Sequence, residues 1–144
     1  MIDRPDPTVP PTADLDGWLG RRVPITPDTT IDDARPLAQS WIDEHMPADW
    51  RAAAEAGGVV ALREVRPRPV YEAWYPTFAD SGMAVAMWPR EFGGLGVGSG
   101  LARAIEDVLA PYNLGRLNIL GINLAGTTLL QWGTDDQKSR FLPP

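Results

Sequence analysis

Apolar residues recur at helical spacing in successive stretches of this chain, with polar residues on the opposite faces. Over 34–45, Leu37, Ala38, Trp41 and Ile42 share one face, and Gln39, Asp43 and Glu44 lie mostly opposite. Asp33 reads as the N-cap, which puts Pro36 in the first turn, where its missing N–H costs little; Pro47 closes the helix. A weaker helix over 48–56 stops at Gly57 and Gly58. The third, over 70–80, opens after Pro69, carries Tyr71, Trp74 and Phe78 on its apolar face, and has Gly82 just past its end. Pro76 inside it predicts a kink or a split, because it cannot donate to Glu72 and its ring crowds that carbonyl.

Residues 83–88 form a short extended apolar run into a glycine-rich turn. Ser99 then caps a fourth helix over 100–110, with Leu101, Ala104, Ile105, Val108 and Leu109 as its buried stripe. The fifth, over 117–132, is apolar nearly all round: Leu117, Ile119, Leu120, Ile122, Leu124, Leu129, Leu130 and Trp132. A helix with no polar face is expected to be covered on most sides. Gly121 and Gly126 cost it helix propensity, roughly 1 kcal/mol each against Ala, and allow close approach of a neighbouring helix or ligand. Gly133 follows as a C′ residue, Thr134 and Gln137 form a capping box, and a last helix over 135–141 is stopped by Pro143. The predicted fold class is all-α, an irregular bundle of five or six helices. Ahead of it, 1–29 reads as a disordered Pro-rich leader. Pro5, Pro7, Pro10, Pro11, Pro24 and Pro27 each remove a backbone donor, and Trp18 and Leu19 are candidates to pin it to the body.

Composition narrows the function classes. With 144 residues, 44% of them hydrophobic and 22% charged, the chain has the balance of an ordinary globular domain. Its formal net charge of −6 argues against a nucleic-acid partner, since phosphate binding needs clustered positive charge. Arg63, Arg66 and Arg68 are interrupted by Glu64 and flanked by Pro67 and Pro69, the pattern of a solvated loop. The absence of cysteine removes disulfides, thiolate chemistry and Cys-ligated zinc, and fits a cytoplasmic location. No secretory signal is legible: the acidic, Pro-rich start has no apolar core behind it, and Arg21-Arg22 is followed by Val23-Pro24-Ile25 where an export signal needs an apolar run. No stretch is long and apolar enough to span a membrane.

Candidate chemistry is sparse. The glycines at 93, 94, 96, 98 and 100 offer no G-x-G-x-x-G frame and no following Lys-Ser/Thr, so they read as a tight turn between helices rather than a phosphate cradle. His45, the only histidine, sits at a helix end where a cation suits the dipole, and no nucleophile motif surrounds Ser40, Ser81, Ser99 or Ser139. Asp32-Asp33, Asp43-Glu44, Glu106-Asp107 and Asp135-Asp136 are sequence neighbours that point apart on a helix, and read as caps and solvated faces. A metal site has no His/Cys cluster to build on.

Two segments carry a resemblance. Trp88-Pro89-Arg90-Glu91-Phe92-Gly93-Gly94-Leu95-Gly96 precedes the last long helices, and Gly133-Thr134-Asp135-Asp136-Gln137-Lys138-Ser139-Arg140-Phe141-Leu142-Pro143 follows them. In this order they resemble the N-terminal helical domain of the acyl-CoA dehydrogenase family. The resemblance runs over about 34–144, is strongest over 88–96 and 118–144, and departs at Pro76, where the family has an unbroken helix. It implies that 30–144 is an N-terminal-like helical domain without the family's β-domain and C-terminal domain. It also implies that intact relatives bind FAD and catalyse α,β-dehydrogenation of an acyl-CoA thioester. The family's catalytic Glu and its flavin contacts belong largely to those further domains, so no catalytic or cofactor-binding residue is assigned here, and the chain alone is expected to be inactive. What the resemblance carries over is one wall of the acyl pocket: Arg116, Leu120 and Leu124, with Asn123 as a polar neighbour. Plain core packing is the alternative for the two leucines. A reading of another class also stands: a non-catalytic helical interaction module, or a partner subunit in a homo- or hetero-oligomer, docking through an apolar face to a separately encoded flavin-binding portion.

Overall fold

The computed structural model describes residues 21–115, 117 and 119–142. Trp18, Leu19 and the first prolines therefore lie outside the described residues. Among the described residues the body holds six α-helices: α1 (Ile31–His45), α2 (Ala48–Val65), α3 (Arg68–Asp80), α4 (Ser99–Leu109), α5 (Thr127–Trp132) and α6 (Asp135–Phe141). Short 3₁₀ turns (Met83–Val85, Arg90–Phe92, Ala110–Tyr112) and a π-helical turn (Gly121–Gly126) link them, and no strand occurs among the described residues. The fold is all-α, as the pattern predicts.

Several boundaries move for local reasons. Thr30, rather than Asp33, caps α1: its hydroxyl oxygen accepts from the Asp33 amide at 3.1 Å and donates to the Asp33 carboxylate at 2.7 Å. The helix over 48–56 does break at the two glycines, where Gly58 takes φ 61°, ψ −152°; beyond that kink a second helical segment, not expected from the pattern, carries α2 on to Val65. Pro76 does not split α3, which runs through it as the family pattern implies. The run over 83–88 is a 3₁₀ turn at its start, not an extended segment. Gly133 ends α5 with an extended backbone (φ −70°, ψ 150°) instead of a left-handed one. The capping box is present, with the Thr134 side chain bound to the Gln137 amide and the Gln137 side chain to the Thr134 amide.

The core lies where α1 packs on α4 and the aromatic face of α3 closes one side. Ala34, Ala38, Trp41 and Ile42 from α1 share one buried cluster with Ala102, Ile105 and Leu109 from α4. Trp41, Trp50, Tyr71, Trp74, Tyr75 and Phe78 form a continuous set of ring contacts at centroid separations of 5.4–6.4 Å. The packed body reaches back into the segment assigned to the leader. Val23 and Ile25 are fully buried, the Val23 amide donates to the Ser81 carbonyl, and the Trp41 indole donates to the Arg21 carbonyl. Proline there prevents helix but not burial. No helix among the described residues is long and apolar enough to cross a membrane.

The C-terminal arm departs from expectation. Its all-round apolar pattern predicts cover, yet Ile119, Leu120, Leu124 and Trp132 are 58–77% exposed, and Phe141 on α6 is exposed too. Apolar periodicity records that a surface needs cover; among the described residues nothing meets that need on this face.

Candidate substrate-facing site

Ahead of the arm in the chain lies a cluster that the sequence conceals. Arg66, just after α2, is buried, and not a member of a solvated loop as its charged neighbours suggest. Its guanidinium donates to the Tyr112 and Asn113 carbonyls, each at 3.1 Å, and stacks over the Tyr71 ring at 4.3 Å and the Trp50 ring at 5.4 Å. The Tyr71 hydroxyl donates to the Gly115 carbonyl at 2.7 Å. The carbonyls need such partners. Asn113 adopts a left-handed backbone (φ 48°), which ends the 3₁₀ turn and leaves the C=O groups around it outside any helix. Arginine suits the task because one planar fork satisfies two acceptors while its faces lie on rings. Burial lowers the Arg66 pKa from its ordinary value, and it raises that of Tyr71 despite the opposing pull of the Arg66 cation.

Beside this clamp, a cavity of about 350 Å³ opens between Phe78, Met83, Ala84, Glu106, Leu109 and the 113–115 segment. Its lining is mostly apolar, and its one ionisable side chain is acidic. A flavin dinucleotide carries a pyrophosphate that needs cations or clustered N–H donors. Glu106 would repel it, and the glycine-rich loop is filled by protein. At Gly94 an added Cβ would lie 2.0 Å from the Trp88 carbonyl oxygen. Neither that cavity nor that loop offers a pyrophosphate the cations or N–H cluster it needs.

The same loop locks the arm from its other side. Trp88 is held by its amide on the Val85 carbonyl and its carbonyl on the Gly96 amide, both at 2.8 Å. Its indole edge lies against Gly126, where a Cβ would come within 2.3 Å of Cζ2. The close approach expected of Gly126 is thus realised by a tryptophan from the turn. Thr127 then steadies the π-helical turn, its hydroxyl lying 2.6 Å from the Asn123 carbonyl and 3.1 Å from that of Leu124.

Leu120, Asn123 and Leu124 all sit exposed on this arm, outside the cavity, and Arg116 lies outside the described residues. His45 stacks on Trp41 at 4.7 Å with Nδ1 3.1 Å from the Trp41 carbonyl oxygen, a packing role. No group of acidic, His or Cys side chains that could hold a metal occurs among the described residues. Sequence reasoning missed Arg66, Tyr71, Trp50 and the partnership of Trp88 with Gly126. The aromatic spacing of α3 was legible, but nothing local marks Arg66 as their companion.

An all-helical unit, a Trp-Pro-x-Glu-Phe-Gly-Gly turn locked to a glycine of an apolar arm, and a capping box leading out of it are consistent with the helical domain that the sequence resembles. Residues 59–144 match the family described as acyl-CoA dehydrogenase, N-terminal domain, and the chain belongs to that family. It is 30% identical over 114 residues to acyl-CoA dehydrogenase IpdE1 of Mycolicibacterium smegmatis, a match covering 78% of this chain and 29% of that protein. Against acyl-CoA dehydrogenase IpdE1 of Mycobacterium tuberculosis the identity is 28% over the same length and coverage. The chain thus spans under a third of the length of these curated relatives. No solved structure matches it.

Proposed function

We propose that the helical unit over 30–144 serves an FAD-dependent acyl-CoA dehydrogenase by supplying one wall of the acyl pocket. In that reading the substrate is an acyl-CoA thioester undergoing α,β-dehydrogenation in the cytoplasm, and the flavin is held by residues outside those described. The observation that carries the reading is the apolar arm. Leu120 and Leu124 stand out from a helix fixed on one side by Trp88 and preceded by the Arg66–Tyr71 clamp. An acyl chain needs such a surface: preformed, apolar and able to exclude water once covered. Arg116 is carried over with the two leucines as a wall position and Asn123 as their polar neighbour, and no residue here is assigned to proton or hydride transfer. The test is co-production of this chain with the portion of the M. smegmatis relative outside the matched region. The expected result is a flavin-containing complex whose visible band is bleached by an acyl-CoA. Leu120→Asp is expected to abolish bleaching while the flavin band is retained. A complex that bleaches equally well with Leu120→Asp, or no complex at all, refutes the wall assignment.

A second reading is favoured by the extent of that surface, which runs beyond the pocket positions to Trp132 and Phe141, 77% and 60% exposed. Patches of this kind mark interaction faces. As a non-catalytic interaction module, the chain would bind a flavin-carrying partner without lining its substrate. Size-exclusion chromatography then shows complex formation lost with Trp132→Glu, whereas acyl-CoA turnover is indifferent to Leu120 and Leu124.

A further inference from the structure

We propose that Arg66 and Tyr71 are positioning residues for the acyl-pocket wall, acting as a bidentate-plus-one carbonyl clamp on the segment 112–115 that leads into the arm; this rests on the wall assignment above. Between α4 and the arm the chain must reverse, and it does so with the left-handed Asn113. Three carbonyls of that reversal, those of Tyr112, Asn113 and Gly115, each receive a donor from a side chain 44–47 positions away. Leu117 then packs on the core, and the arm is helical from residue 119. The clamp therefore sets where the arm begins, while Trp88 against Gly126 sets its approach further along.

The chemistry of the clamp argues for placement rather than for stability alone. Among the described residues no carboxylate pairs with Arg66; its hydrogen-bond acceptors are two main-chain carbonyls. Burying a cation without a counter-charge is costly, and an apolar side chain of similar volume would fill the space between Trp50 and Tyr71 at less cost. What an apolar side chain cannot do is hold two carbonyls at a fixed separation. Lysine cannot either, since a single ammonium lacks the fork. The adjoining cavity shares this wall, because Asn113, Leu114 and Gly115 line it. A shift of the 112–115 backbone is thus transmitted both to the cavity and to the start of the arm.

The test has two arms on the full chain and its flavin-loaded complex. Amide hydrogen exchange is measured for the unsubstituted chain, Tyr71→Phe, Arg66→Lys and Arg66→Met. Local opening over 113–126 is expected to speed exchange there by about tenfold or more, with α1 and α4 unchanged in Tyr71→Phe. Exchange that rises uniformly over all helices in Tyr71→Phe, or that Arg66→Lys restores to the unsubstituted rate, overturns the clamp. In the complex, Tyr71→Phe is expected to raise KM for an acyl-CoA about fivefold while kcat changes less, the pattern of a displaced binding wall. An unsubstituted complex that is active with KM unmoved by Tyr71→Phe overturns the positioning role alone. An unsubstituted complex with no acyl-CoA turnover refutes the proposed function, and this inference falls with it.

Discussion

Replacing Gly126 with alanine sets two effects against each other, and the structure gives the sign. Alanine is the better helix former by roughly 1 kcal/mol. Its Cβ, however, would lie 2.3 Å from Trp88 Cζ2, 2.5 Å from Cη2 and 3.1 Å from the Gly121 carbonyl oxygen. Carbon atoms need about 3.5 Å or more, so over an ångström must be found. Trp88 has little freedom to supply it, since its amide and carbonyl are both hydrogen-bonded and its carbonyl is also packed against Gly94. Overpacking of this kind costs about 1–3 kcal/mol, so after the propensity gain the net effect of Gly126→Ala is a loss of up to about 2 kcal/mol. The same substitution in a Trp88→Phe background has the room, because phenylalanine lacks the outer part of the indole. There the helix-propensity gain survives and Gly126→Ala becomes neutral or stabilising by up to about 1 kcal/mol. Urea unfolding followed by far-ultraviolet circular dichroism, run as a double-mutant cycle, reads the coupling. Equal stability changes for Gly126→Ala in both backgrounds would show that the Trp88 contact does not govern this position.

Other consequences are direct. Ser81 is fully buried, with its hydroxyl donating to the Phe78 carbonyl at 2.6 Å and accepting from the Met83 amide at 3.0 Å; Ser81→Ala is expected to cost about 1–3 kcal/mol in chemical denaturation. Thr30→Ala removes the α1 cap and is expected to lower stability by about 1 kcal/mol, with Thr30→Ser close to unsubstituted in the same assay. Arg21 and Asp80 pair at 3.0 Å, but the arginine is half exposed, so Arg21→Ala is expected to change the urea midpoint little. Tyr71 has a folded-state pKa raised mainly by burial, so its proton is held more tightly in the folded chain than in the unfolded one. The stability this gives is complete below the ordinary tyrosine pKa of about 10 and declines as pH rises past it. Thermal midpoints in alkaline buffers should accordingly fall less steeply for Tyr71→Phe than for the unsubstituted chain; parallel slopes would contradict the burial argument.

The sequence alone determined the helices and their class, because the signals involved act within a turn or two. The stripes of α1 and α4, the Thr134–Gln137 box and the turn glycines each depend on residues three or four positions apart. Local signals also misled where two competed. Thr30 and Asp33 are both good caps, and Pro76 sits in a helix whose aromatic face holds it together. The family, too, was legible, through the Trp-Pro-Arg-Glu-Phe-Gly-Gly turn and the segment after the arm. Only the tertiary structure decided that Arg66 is buried, that Val23 and Ile25 belong to the core, and that Gly126 is small for the sake of Trp88. The reason is distance along the chain. A guanidinium is solvated or buried according to which carbonyls fold beside it, and those of Arg66 come from 46 and 47 residues further on. Hydrophobicity likewise fixed how much of the arm seeks cover, while the fold alone decided that Leu120, Leu124 and Trp132 face outward among the described residues.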